Sequence, residues 1–90
     1  MTQEYNGPPS LRERVIAIIC KEWPNEDNEL QSTTIYHQLV SGGVGVSETA
    51  LRDVLERLAG LGDIELVISP TLPLAQGGVT IRGVSPELCP

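Results

Sequence analysis

From residue 11 to residue 61 the apolar positions recur three times at helical spacing, and after Gly62 they alternate. The first stripe holds Leu11, Val15, Ile18 and Ile19, broadened by Ile16 and Ala17, which is one face of an amphipathic helix. Ser10 and Glu13 are spaced as a capping box at its start. Pro24 disfavours the α conformation in the residue before it, so this helix should stop near Glu22 or Trp23. A polar, acidic loop spans Pro24 to Asn28, followed by a short extended piece around Leu30. The second helix begins at Ser32 or Thr33, carries Ile35, Tyr36, Leu39 and Val40, and ends at Gly42-Gly43. Ser47 caps a third helix, with Glu48 in its first turn, where an acid suits the helix dipole. Its apolar residues are Leu51, Val54, Leu55, Leu58 and Leu61, and Gly60 and Gly62 mark its end.

The period then changes to two. Ile64, Leu66 and Ile68 alternate with Glu65 and Val67, as in a half-buried strand. A loop from Ser69 to Gly77 contains Pro70 and Pro73, and a second strand runs from Gly78 to Gly83 with Val79 and Ile81 on one face. The expected organisation is a tail at 1–9, one domain at 10–84 and a second tail at 85–90. Three helices followed by a two-stranded hairpin make an α+β fold. Ninety residues allow one modest core, burying about 60–65% of the unfolded chain's surface.

Charge changes the picture most. Six Lys and Arg against twelve Asp and Glu leave a net charge of −6. Sequence-independent affinity for a duplex comes largely from cations neutralising phosphates, so such a surface is repelled on average. The longest apolar run, Val15 to Cys20, is far too short for a membrane span. Residues 1–10 show neither a basic segment nor an apolar one, so a secretory signal is not expected. Cys20 ends an apolar helical run and reads as a buried thiol, while Cys89 sits in the tail. No spacing of Cys and His suggests a metal, so no metal or other cofactor is expected. A reduced, cytoplasmic protein is the resulting expectation.

The stretch GVSETALRDVLERLAGLGDIELV, residues 45–67, resembles the turn, third helix and first wing strand of bacterial winged-helix regulators, including GntR-like ones. The carrying features are the Val46-Ser47 turn, the Leu51/Leu55/Leu58 spacing and Leu61-Gly62-Asp63-Ile64 leading into a strand. The resemblance implies a winged-helix (winged helix-turn-helix) fold and a DNA-binding transcriptional regulator. It implies that helix 47–61 enters the major groove of double-stranded DNA and that the wing touches backbone. Carried onto this chain, the DNA-binding residues are Ser47, Glu48, Thr49, Arg52, Asp53 and Arg57, with Arg82 on the wing. Ser47 and Thr49 are suited to phosphate, and Arg52 to a bidentate contact with guanine. Glu48 departs from the family's pattern, in which an Arg is common there, and would face phosphates with like charge. The connection from Ser41 to Val46 is longer than that of a compact helix-turn-helix.

The wing departs furthest. Its loop from Ser69 to Gly78 contains no Lys or Arg and offers Leu72 and Leu74 instead. Leucines supply area for a protein contact and contribute little at a phosphate. These two residues are therefore candidates for binding a protein partner or a second copy of the chain. The alternative function is an acidic winged-helix protein–protein interaction module that does not bind DNA.

The plainer readings are equally specific. Glu48 with Arg52, and Asp53 with Arg57, have the i,i+4 spacing of salt-bridged surface pairs. Arg12, Arg14 and Lys21 suit a solvated face, and His37 an ordinary surface position. Trp23 suits a cover over the end of the first helix. No nucleophile elbow, P-loop or GxGxxG occurs, so no enzyme is expected.

Overall fold

A computed structural model describes residues 10–25 and 29–89. The expected tail at 1–9 lies outside these residues. Helix α1 (Leu11–Glu22) starts at a complete capping box: Glu13 N–H donates to Ser10 Oγ at 3.2 Å, and Ser10 N–H to Glu13 Oε1 at 2.9 Å. A 3-10 turn at Trp23–Asn25 follows; Trp23 keeps helical backbone angles (φ −55°, ψ −42°) although it precedes Pro24, and it lies against the core. Strand β1 (Leu30–Gln31) leads directly into α2 (Ser32–Ser41). Gly43, at φ 82°, lets the chain turn back after α2. Ser47 Oγ accepts the Ala50 N–H at 3.1 Å and starts α3 (Glu48–Gly60). Strands β2 (Ile64–Ile68) and β3 (Val79–Val84) form the hairpin, with a 3-10 turn at Leu74–Gln76 inside its loop.

The apolar stripes meet in one core. It contains Val15 and Ile19 of α1, Ile35 and Leu39 of α2, and Leu51, Leu55 and Leu58 of α3. Leu30, Ile64, Val79 and Ile81 cover it from the sheet, and Leu74 from the hairpin loop. Leu61 is the exception on the α3 stripe. It lies past the last helical turn and is 68% exposed.

Among the described residues the sheet has three antiparallel strands in the order β1-β3-β2, where a two-stranded hairpin was expected. The extended piece around Leu30 pairs with β3, placing Leu30 opposite Ile81 and Gln31 opposite Thr80. Two residues are too few to show an alternating pattern, which is why the pairing is invisible in the sequence. The hairpin ladder also carries a bulge. Glu65 stands opposite Gly83 and Leu66 opposite Ile81, so Arg82 has no partner on β2. The extra residue changes the facing of the strand, and Ile81 and Val84 both pack inward although three positions separate them.

The segment after β3 is the second correction, because residues 85–89 belong to the folded unit. Ser85 N–H donates to the Asp63 carbonyl at 2.8 Å, Leu88 packs on the core, and Cys89 forms a disulfide with Cys20 of α1. Cys20 is therefore not a free thiol, and the ground for expecting a reduced compartment is gone. Among the described residues no helix is long and apolar enough to cross a membrane.

Ser32 is the buried polar residue that joins α2 to the hairpin. Its hydroxyl donates to the Leu74 carbonyl at 2.8 Å and accepts the Val79 N–H at 3.2 Å. Removing it strands the buried Val79 N–H, while the Leu74 carbonyl keeps the Gly77 N–H at 3.1 Å. Ser32→Ala is expected to lower unfolding free energy by about 1–3 kcal/mol, read as a lower denaturant midpoint with an unchanged slope. An unchanged midpoint would show that water replaces the hydroxyl. Gly78 completes this corner, since a Cβ there would fall 2.2 Å from the Leu72 carbonyl oxygen.

Candidate interaction surface

The residues singled out on α3 divide by the helix geometry into an inner and an outer group. Leu51, Leu55 and Leu58 turn inward, so Thr49, Asp53, Glu56 and Arg57 turn to solvent with Arg52 half-exposed beside them. This outer face carries two cations and two carboxylates, and its formal charges cancel. Arg57 Nε lies 3.2 Å from Asp53 Oδ2, the expected i,i+4 pair. Both side chains are well exposed, so the pair stabilises the helix by a few tenths of a kcal/mol at most.

Glu48 does something the sequence did not suggest. Its Oε1 accepts the Ala75 N–H at 3.2 Å, across 27 residues, and so binds the first turn of α3 to the hairpin loop. The expected Glu48–Arg52 pair is not formed. One oxygen of the carboxylate that departs from the regulator pattern is thus engaged within the fold. Ser47 is likewise used, as the cap of α3, although its hydroxyl hydrogen stays available.

Arg82, expected on the wing as a DNA contact, lies 3.1 Å from Glu29 Oε2. The pairing of β1 with β3 explains this, because Glu29 precedes Leu30 and comes level with Arg82. On α1, Lys21 Nζ is 3.7 Å from Glu22 Oε2 and 3.3 Å from Gln38 Oε1. Gln38 in turn donates to Glu22 at 2.7 Å. Arg14 is also engaged. Of the six cations, Arg12 and Arg52 remain without a hydrogen bond or ion pair among the described residues.

The wing separates its two leucines. Leu74 is fully buried, and Leu72 is 42% exposed. Leu74 is therefore withdrawn as a partner contact: the 3-10 turn points it into the core under α2 and α3. Two exposed residues that were assigned only to the strand pattern, Val67 and Ile68, take its place at the surface. Val67 lies on the outer face of the sheet, opposite the face that carries Ile64 and Leu66, and Ile68 ends the strand. His37 is exposed, with its ring edge-on to Tyr36 at 6.3 Å.

No family model matches the chain, and no curated protein or solved structure matches it significantly. What the chain offers a binding partner is therefore this surface. Its parts are a charge-balanced α3 face, Arg52 as its unengaged cation, and an apolar hairpin edge.

Proposed function

We propose that this chain is a small winged-helix-type interaction module that docks a protein partner through the outer face of α3. Three helices followed by a hairpin are compatible with that fold, and the resemblance of residues 45–67 points the same way. The observation that carries the reading is electrostatic. Four of the six cations already have partners inside a chain of net charge −6, and the outer face of α3 has no net charge. Non-specific DNA affinity grows with the number of phosphates neutralised, and two unengaged guanidiniums give little of it. Mixed charges on a helix face instead supply orientation and partner choice at a protein interface.

A photo-crosslinking residue at Thr49 or Glu56 tests this in the source cells, with Glu87 as a control position. Protein adducts seen from both α3 positions and absent from the control are the expected result. Nucleic-acid adducts from α3, or the same adducts from the control, would overturn it.

One observation favours the second reading, a DNA-binding regulator. Arg52 is unengaged on the outer face of α3, one turn after the exposed Thr49. Under that reading Arg52→Ala weakens specific binding by about 1–3 kcal/mol, the value of a bidentate base contact. Fluorescence anisotropy on a selected duplex measures it, and an unchanged affinity would remove Arg52 from the contact.

A further inference from the structure

The strand order β1-β3-β2 leaves β2 at an edge of the sheet. The bonds that flank the hairpin ladder fix which way its main chain points. Ser85 N–H donates to the Asp63 carbonyl, and Ser69 N–H donates to the Gly78 carbonyl, both at 2.8 Å. Antiparallel partners alternate between bonded and non-bonded pairs. Residues 63, 65, 67 and 69 therefore bond toward β3, and the N–H and C=O groups of Ile64, Leu66 and Ile68 point away from it. Among the described residues no side chain or loop bonds to those three.

Natural edge strands are commonly blunted by Lys, Pro, a bulge or a covering element. β2 reads IELVI, without Lys or Pro and with Glu65 as its one charge, and the bulge of this hairpin lies on the central strand β3. The pattern of β2 is also symmetric about Leu66, with an isoleucine two residues to either side. We infer that β2 pairs antiparallel with β2 of a second copy of this chain, across a two-fold axis through Leu66, giving a continuous six-stranded sheet.

Self-pairing in this register satisfies the free edge on both copies. Leu66 meets Leu66, Ile64 meets Ile68, and about six main-chain hydrogen bonds form. Ile68, 45% exposed in one copy, comes to lie beside the core residue Ile64 of the other. On the outer face Glu65 stands opposite Val67, so no like charges oppose each other directly. The contact is isologous, as a closed dimer requires. It does not depend on whether α3 meets protein or DNA.

The cross-strand neighbour of Val67 supplies a test with opposite signs. Val67 is 47% exposed on the outer face, and its main chain bonds toward β3. Val67→Glu would place two carboxylates opposite Glu65 of the partner copies, and Val67→Lys would place two ammonium groups there. Sedimentation velocity at 0.15 M salt, over a range of concentrations, reads the dimer constant. Circular dichroism checks that both variants fold. Association weakened about two- to thirtyfold by Val67→Glu, and strengthened by a similar factor by Val67→Lys, is the expected result. Glu87→Gln controls for net charge, since it moves −6 to −5 as Val67→Lys does. Three outcomes would overturn the pairing: a native chain monomeric up to about 1 mM, both Val67 variants shifting association the same way, or Glu87→Gln matching Val67→Lys.

Discussion

Reducing the Cys20–Cys89 disulfide should lower the unfolding free energy by about 4 kcal/mol at 25 °C. The two cysteines are 69 residues apart, so the bond closes a loop containing α2, α3 and the whole sheet, with most of α1 outside it. A cross-link of that span removes a large part of the conformational freedom of the unfolded chain. Small domains are stable by only about 5–15 kcal/mol in total. The loss is therefore expected to lower the melting temperature by about 15–30 °C. Cys20→Ser with Cys89→Ser should reproduce the effect of reductant, which separates the bond from reductant chemistry. Leu88, next to Cys89, should then exchange faster, because the cross-link no longer ties this segment to α1. A change below about 1 kcal/mol, or two titratable thiols in the folded oxidised protein, would contradict the cross-link.

The second large effect separates two leucines of the hairpin loop. Leu74→Ala should cost about 2–5 kcal/mol, the range for truncating a buried leucine, because Leu74 is fully buried among α2, α3 and the sheet. Leu72→Ala should change stability by no more than about 0.5 kcal/mol, as at an ordinary surface position. Urea unfolding of the two variants side by side is the measurement. Equal losses would mean that Leu72 is also packed, and two negligible losses would mean that the loop is not seated on the core. Only Leu72 is then left to act in a contact with another molecule.

These two leucines also show where sequence reading stops. Within the helices a fixed period converts spacing into facing, so Val15, Ile19, Ile35, Leu39, Leu51, Leu55 and Leu58 were all legible as core. The capping box at Ser10 and the glycine ends of α2 and α3 were legible for the same local reason. Inside a loop no period exists, and Leu72 and Leu74 look alike in SPTLPL. The extended piece at Leu30 was legible, but its pairing with β3 was not, because a two-residue strand shows no alternation. The bulge at Arg82 was lost because a single inserted residue looks like ordinary alternation until its partner strand is known.

The candidate surface follows the same division. Periodicity correctly put Thr49, Asp53 and Arg57 on the outer side of α3. It could not tell that Glu48 is taken by an amide 27 residues away, or that Arg82 is taken by Glu29. Both contacts come from chain segments brought together only by the fold. They bear on the functional weighting, because each gives a residue that the regulator resemblance assigned to DNA a partner within the fold.

Titration of a labelled random duplex with the native protein, at 50 mM and at 200 mM salt, tests the central claim most directly. The claim is that the outer face of α3 is built for protein and not for phosphate. With four of the six cations already engaged within the fold and a net charge of −6, the account predicts a dissociation constant weaker than about 10⁻⁴ M at the higher salt. It also predicts a log–log salt slope no steeper than that for about two phosphates. A micromolar constant at 200 mM salt, with a slope for six or more phosphates, would contradict it and restore α3 as a DNA-reading helix.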